Sequence, residues 1–180
     1  MATEHEIKIL EIDVDIVRTL LWDLWAIFID TKNFRRYVYN MNPPTLSKWI
    51  RLRTDGKKTT LTVKHIIDSQ SIDGTKEREI IVDNFDTTNE ILTQMWYSSK
   101  SYQENNRESY TLDGCDIEID SRPHIPPYLE IEWPSVQAVE YIIDKLWLLD
   151  HIHTSENTTD VYARYGIYDL EKTYPILKFE

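Results

Sequence analysis

Two carboxylates and one ammonium group alternate close to the N-terminus of the chain. Glu4, Glu6 and Lys8 occupy every second position of a five-residue stretch. Because side chains on a β-strand point to opposite faces with a period of two, these three groups should share one face. The isoleucines at positions 7 and 9 should share the other face. Taken alone, this pattern is typical of the solvated face of a half-buried sheet.

The same alternation recurs in strands predicted further along the chain. Asp-Gly dipeptides at positions 55–56 and 113–114 are suited to tight turns and predict two β-hairpins. In each hairpin, aliphatic side chains occupy one face, and charged or polar side chains occupy the other. The charged residues form two groups. The acidic group is Glu4, Glu6, Glu118, Asp120, Glu130 and Glu132, and the basic group is Lys8, Arg51, Arg53, Lys64 and Arg107.

Amphipathic helices must cover the apolar faces of these strands. Asp13 or Asp15 can cap a first helix, and Ser135 can cap a late one. Two arrangements are then open: a flat sheet with its charges in solvent, or a barrel whose charged faces line a polar lumen. Like charges crowded inside a barrel repel unless ions or ligands neutralise them. The segregation of the charges suggests such ligands and favours the barrel.

The two charged groups indicate complementary ligands. Carboxylate oxygens suit hard divalent cations such as Mg²⁺ or Mn²⁺, and Arg and Lys side chains suit chains of phosphate. A polyanion bridged to a metal ion would satisfy both groups. The sequence therefore indicates a metal-assisted site for a phosphate compound.

Composition limits the other functions that the chain could perform. Its 180 residues, 41% of them hydrophobic, predict one domain. With 20 Lys and Arg against 31 Asp and Glu, the net charge of -11 argues against broad binding to nucleic acid or anionic membranes. Cys115 is the single cysteine, and the N-terminus lacks a basic segment followed by an apolar one. A cytoplasmic location is expected.

The ordered set of motifs resembles the CYTH superfamily, the triphosphate tunnel metalloenzymes. The ExExK motif of residues 4–8 is followed by Arg-Leu-Arg at 51–53, Thr-Val-Lys at 62–64, Asp120 and Leu-Glu-Ile-Glu at 129–132. This family includes class IV adenylyl cyclases, thiamine triphosphatases and inorganic triphosphatases. The resemblance implies an α+β fold: an eight-stranded antiparallel β-barrel, or tunnel, with a charged lumen and helices packed outside. It covers nearly the whole chain and implies a single domain over residues 1–180.

The resemblance also implies a role for each charged residue. Asp120 and Glu118 would help to hold a second metal ion or its water, and Glu6, Lys8 and Asp120 would be catalytic. The metal ligands would be Glu4, Glu6, Glu130 and Glu132, and the triphosphate would be bound by Lys8, Arg51, Arg53, Lys64 and Arg107.

Two positions leave questions open within this resemblance. Glu77 and Glu79 match an acidic strand in the middle of the family's sequences, and either could face the tunnel. Where relatives often carry Lys-x-Arg, this chain has Asn105-Asn106-Arg107. The change predicts that one phosphate contact is lost or moved.

The activity implied by the resemblance is a Mg²⁺- or Mn²⁺-dependent phosphohydrolase that cleaves inorganic triphosphate or an organic one, such as a nucleotide or thiamine triphosphate. Hydrolysis is expected first because it asks less of the site than placing a ribose hydroxyl in line. One alternative is a class IV adenylyl cyclase that converts ATP to cyclic AMP and pyrophosphate. Another is a non-catalytic protein that binds triphosphate or polyphosphate. The expected partner is a small-molecule triphosphate, with a homodimer as an alternative to a monomer, and not nucleic acid or a membrane.

Overall fold

The computed structural model describes residues 2–4, 6–68, 75–132 and 135–180, with the backbone alone at 2–4. Five helices occur in these ranges: α1 (Val14–Asp23), α2 (Phe85–Gln94), α3 (Val136–Lys145), α4 (Thr158–Arg164) and α5 (Leu170–Thr173). The strands of the same ranges are β1 (Ala2–Glu4), β2 (Glu6–Leu10), β3 (Ile27–Asn40), β4 (Lys48–Thr54), β5 (Thr59–Ile66), β6 (Thr75–Val82), β7 (Ser99–Leu112), β8 (Cys115–Arg122), β9 (Ile125–Glu132), β10 (Ile152–Thr154) and β11 (Ile176–Leu177).

All of these strands belong to one strongly curled sheet. Its order is β1-β6-β5-β4-β3-β7-β8-β9-β2-β10, and β11 joins β7 as a parallel strand. The two N-terminal strands stand near opposite ends of this order, since β1 pairs with β6 and β2 pairs with β9. In this order β1 forms one edge of the sheet, and β2 lies next to β10 at the other edge. The predicted antiparallel barrel with helices outside is confirmed, and β10 and β11 are additions that the sequence did not predict.

The main hydrophobic core lies outside the barrel, between the sheet and two helices. The outward faces of β2, β8 and β9 are isoleucine and leucine residues that pack against α1 and α3. Burying a side chain of this size contributes about 1.5–3 kcal/mol. The members of this core with no exposed surface are Ile9, Leu21, Ile117, Leu129, Ile131, Val139, Ile142 and Leu146. Because the apolar faces point outward, the charged faces must point into the lumen.

Local sequence signals fix the ends of these elements. The Asp13 side chain accepts hydrogen bonds from the backbone N–H groups of Asp15 and Ile16 at 3.0 and 3.1 Å and so caps α1. Ser135 caps α3 in the same way, through the N–H of Ala138 at 3.3 Å. Gly56, in the turn between β4 and β5, has a φ of 87°, which glycine adopts without strain.

No helix among the described residues is both long and apolar enough to cross a lipid bilayer.

Candidate functional site

A cavity of about 810 Å³ occupies the lumen, which is within the size range of small-molecule sites. Eight of the residues proposed from the sequence line it, namely Glu6, Lys8, Arg51, Arg53, Lys64, Arg107, Glu130 and Glu132. Five further charged residues on the strands line it as well: Arg36, Glu77, Glu79, Lys100 and Arg122. Both Glu77 and Glu79 therefore face the tunnel, which answers the question left open by the sequence.

One side of the lumen, which we call the acidic wall, is formed by β2, β8 and β9. Strand register places Glu6 opposite Glu132 and Lys8 opposite Glu130, and Glu118 lies opposite Glu130 on the other side of β9. Alternation within each strand then brings these side chains to one face. We define the acidic wall by its carboxylates, Glu6, Glu118, Asp120, Glu130 and Glu132.

Lys8 is buried among the carboxylates of this wall. Its Nζ forms an ion pair with Glu6 and lies 3.6 Å from Oε1 of Glu130. Burial and the charge of Glu6 raise the pKa of Glu130 to about 7. Burial also opposes ionisation of Glu6, but the charges of Lys8 and Lys64 outweigh it and lower the pKa of Glu6. The two glutamates therefore differ in how readily they lose a proton.

Arg107 lies within the acidic wall as well. Its Nε and Nη2 donate to the two carboxylate oxygens of Asp120 at 2.8 and 2.7 Å, a bidentate pair. The same guanidinium contacts Glu118 and Glu130. Although burial opposes ionisation of Asp120, the charge of Arg107 holds the pKa of that carboxyl well below its usual range. Arg107, proposed from the sequence as a phosphate ligand, is thus bound to three carboxylates in this structure.

Arg122 is a cavity residue that sequence reasoning missed. Its Nε donates to the hydroxyl of Tyr128 at 2.6 Å, and its Nη2 lies 3.4 Å from Oδ2 of Asp120. Asp120 is fully buried, so two guanidinium groups, those of Arg107 and Arg122, compensate one buried carboxylate. Arg122 could have been found as the alternate position after Glu118 and Asp120 on β8.

The opposite side of the lumen carries cations from β4 and β5 together with the two glutamates of β6. Arg51 lies 3.6 Å from a carboxylate oxygen of both Glu77 and Glu79, and Lys64 forms an ion pair with Glu77. The hydroxyl of Thr62 donates to Glu79 at 2.8 Å. These predicted phosphate ligands are therefore held in position by neighbouring carboxylates.

Two further arginines on this side, Arg36 and Arg53, form what we call the arginine pair. They lie directly opposite each other on β3 and β4. Within the described part of the chain, neither forms an ion pair with a carboxylate. The guanidinium of Arg53 stacks on the Phe34 ring at 4.6 Å. Burial and the nearby charges of Arg51 and Arg107 lower its pKa to about 9.

Arg36 was not predicted from the sequence, although a signal was present. Register places it beside Arg53, and it lies two residues from Phe34 and Val38 along β3. The tract around it is rich in arginine and tyrosine on both faces, so the alternation that marks the other strands is hidden. Only the pairing of β3 with β4 shows that Arg36 and not Arg35 lines the cavity.

The acidic wall carries the donor atoms of the divalent-cation site that the sequence predicts. Carboxylate oxygens are the donors that Mg²⁺ and Mn²⁺ prefer, and Glu6, Glu130 and Glu132 present them from neighbouring positions. The donor chemistry fits a divalent cation. As the side chains are placed, no group of three or more His, Cys, Asp or Glu residues in the described ranges could hold a metal ion. Lys8 and Arg107 contact these carboxylates instead, and the Glu4 side chain lies outside the described residues.

Comparison with known proteins gives the class of the fold. No protein-family model matches the sequence, and no curated protein matches it either. A protein from Pyrococcus horikoshii has a TM-score of 0.72 at 19% identity, over 90% of this chain and 99% of that chain. A proposed adenylate cyclase from Vibrio parahaemolyticus has a TM-score of 0.72 at 13% identity, over 89% and 98% of the two chains.

A third solved structure, a proposed adenylyl cyclase from Hippeastrum described as having a dominant triphosphatase activity, has a TM-score of 0.64 at 13% identity. It covers 92% of this chain and 96% of its own. Together these matches establish the fold, and the predicted resemblance to CYTH-type proteins is confirmed at that level. The chain shares the fold of these solved structures, and because a fold does not by itself imply a function, the chemistry must be argued from the site.

Proposed function

We propose that this protein is a divalent-metal-dependent phosphohydrolase that cleaves inorganic triphosphate or an organic triphosphate in the barrel lumen. The observation that carries the proposal is the arginine pair. Arg36 and Arg53 line a cavity without an ion-pair partner in the described residues, while a wall of carboxylates lies across the lumen. A ligand that satisfies both sides must be anionic and able to bind metal.

Electrostatics favours a compact polyanion as this ligand. A buried charge without a partner costs several kcal/mol relative to the same charge in water. Phosphate oxygens recover that cost by accepting paired N–H bonds from guanidinium groups. Arg51 and Lys64 lie beside the arginine pair and extend the same cationic surface. A triphosphate provides several phosphate groups for these cations.

The acidic wall would hold the metal ion through Glu6, Glu130 and Glu132. When bound, a divalent cation would neutralise negative charge on the phosphate oxygens and lower the pKa of a water molecule. The protein side chains would position the reactants, with Arg51, Arg53 and Lys64 holding the phosphate chain. Lys8 and Arg107 hold the carboxylates in place. In hydrolysis, the water oxygen bonds to the terminal phosphorus, the bridging P–O bond breaks, and the leaving group departs with the electron pair of that bond while a proton of the water is released to solvent.

Adenylyl cyclase activity is the second candidate, because two structures with this fold are described as proposed cyclases. The Hippeastrum protein is nevertheless described as having a dominant triphosphatase activity. This supports hydrolysis as the first proposal. A non-catalytic triphosphate or polyphosphate binder would use the same cationic surface.

Purified protein incubated with Mg²⁺ or Mn²⁺ and, separately, with tripolyphosphate, ATP and thiamine triphosphate distinguishes these functions. Release of phosphate that stops on addition of EDTA is the expected result. Formation of cyclic AMP from ATP would replace the proposal with the cyclase, and tight binding without turnover would replace it with the non-catalytic binder. If none of the three compounds binds, the proposed function is wrong.

A further inference from the structure

Arg36 occupies a central position on the lumen face of β3. It is paired with Arg53 on β4 and with Gln103 on β7, and it is only 7% exposed. Despite this burial it lines the cavity. The guanidinium is therefore shielded from bulk solvent but open to anything that occupies the lumen.

Asn105 connects Arg36 to the acidic wall. The Nη2 of Arg36 donates to Oδ1 of Asn105, whose Nδ2 donates to Oδ1 of Asp120 at 3.0 Å. Since an arginine only donates and a carboxylate only accepts, both neighbours fix the same orientation of the amide. Asn105 is fully buried. It therefore links a cation to an anion without contributing charge of its own.

Asp120 does not neutralise Arg36 through this link. Its Oδ1 already accepts from Arg107, and its Oδ2 accepts from both Arg107 and Arg122. Three guanidinium groups thus surround one carboxylate, and the third reaches it only through an amide. The Nε of Arg36 has no hydrogen-bond partner within the described structure. Burial, then the charges of Arg122, Arg51 and Arg53, lower the pKa of Arg36 well below its usual value.

We propose that Arg36 binds a phosphate group of the substrate and that Asn105 positions its guanidinium for that contact. This inference rests on the proposed function and adds a phosphate-binding residue, Arg36, that lies outside the sequence motifs. The unpartnered Nε and the open lumen face together allow the paired N–H contacts that phosphate oxygens accept. Because Asn105 lies between them, the guanidinium of Arg36 does not pair directly with Asp120 and stays available to bind phosphate.

Arg36→Gln and Arg35→Gln form a matched pair of variants. Arg35 is the adjacent residue on the other face of β3, where its guanidinium lies 3.8 Å from Asp86 at the surface. We would titrate tripolyphosphate into each protein by calorimetry in EDTA, so that no metal contributes. Loss of charge-assisted hydrogen bonds in Arg36→Gln should weaken binding by about 10- to 100-fold. Arg35→Gln should bind within about twofold of the unmodified protein.

Thermal unfolding separates a phosphate ligand from a structural arginine. Removal of a buried charge that lacks a partner should leave Tm unchanged or raise it when no ligand is present. A decrease in Tm for Arg36→Gln would show that the side chain stabilises the fold and would overturn the inference. Arg36→Lys, which keeps the charge, should recover part of the lost affinity.

The role of Asn105 is tested by a double-mutant cycle. If Asn105 acts through Arg36, Asn105→Ala should weaken tripolyphosphate binding in the natural background and have little further effect in Arg36→Gln. Additive losses would show that Asn105 acts independently and would overturn its positioning role.

Failure of this inference is distinguishable from failure of the proposed function. If the unmodified protein binds tripolyphosphate and Arg36→Gln binds it equally well, only the role of Arg36 is wrong. If the unmodified protein does not bind it at all, both proposals are wrong.

Discussion

The acidic wall and the arginine pair face one lumen, yet their charges are compensated very differently. On the acidic wall, Lys8 contacts Glu6 and Glu130, and Arg107 reaches Glu118, Asp120 and Glu130. Across the lumen, the arginine pair contacts an amide and an aromatic ring, with no described carboxylate as an ion-pair partner.

This difference shows which charges of the lumen have an opposite charge of the protein beside them and which do not. The carboxylates of the acidic wall have cationic partners, whereas a buried cation without an anionic partner is destabilising, so an anion bound to the arginine pair would offset that cost. On this side of the lumen, the cations Arg36, Arg51, Arg53 and Lys64 outnumber the glutamates Glu77 and Glu79. This side therefore attracts anions, although the net charge of the chain is -11.

The largest expected effect comes from removing the central cation of the acidic wall. Arg107→Met leaves the buried carboxylates of Asp120 and Glu130 and the partly buried one of Glu118 without the guanidinium that contacts all three, and should lower the free energy of unfolding by about 3–5 kcal/mol. Arg53→Met, the matched change in the arginine pair, should be neutral or slightly stabilising. Urea denaturation gives the free energy of unfolding of both variants. Equal destabilisation by the two changes would contradict the difference between the acidic wall and the arginine pair.

A catalytic test of the acidic wall is Glu6→Gln. The amide keeps the size of the side chain but removes a charge from the proposed metal site, so turnover of tripolyphosphate should fall more than about 100-fold. Manganese binding, followed by electron paramagnetic resonance, should weaken in parallel. Glu140→Gln, on the exposed surface of α3, is the control. Unchanged turnover in Glu6→Gln would contradict the tunnel assignment.

Arg53→Ala tests the arginine pair in catalysis. Loss of a guanidinium that holds phosphate should raise KM for tripolyphosphate by about 10- to 100-fold, with manganese affinity retained. Arg78→Ala is a suitable control because Arg78 lies on β6 between the two lumen glutamates, with its side chain exposed. A change confined to metal affinity would show that the division between the two sides is wrong.

The smallest effect is expected at an ion pair outside the lumen. Arg18 on α1 donates from Nε to Oε2 of Glu108 at 3.0 Å, and this hydrogen bond lowers the pKa of Glu108. A lowered carboxyl pKa stabilises the fold above the usual value near 4.3, and the effect disappears as pH falls through the lowered pKa. Because the pair is partly exposed, Glu108→Gln should cost at most about 1 kcal/mol at pH 7. Thermal unfolding of both proteins should show no difference at strongly acidic pH.

The architecture was predictable because it depends on local rules. A period of two separates an apolar face from a charged face on several strands, and Asp-Gly turns set the two hairpins. The barrel was implied by the family resemblance, and eight of the residues predicted for its lumen line the cavity. The Asp13 and Ser135 caps were predictable for the same reason. These signals need no knowledge of which strands become neighbours around the barrel.

The pairing of charges was not predictable, because it depends on contacts between distant strands. The sequence assigns Arg107 to the phosphate ligands, yet its position opposite Asp120 on β8 places it among carboxylates. Arg36 was missed because its relation to Arg53 appears only when β3 pairs with β4. The partner of Asn105 was not predictable either, because Asn105 accepts a hydrogen bond from Arg36, which lies 69 residues away along the chain.

A crystal structure of the protein with tripolyphosphate and Mn²⁺ tests the central claim most directly. We expect phosphate oxygens at hydrogen-bonding distance, about 2.7–3.2 Å, from the guanidinium nitrogens of Arg36 and Arg53. We also expect anomalous scattering from manganese beside Glu6, Glu130 and Glu132. Tripolyphosphate bound outside the lumen, or bound inside it without contact to either arginine, would contradict the account.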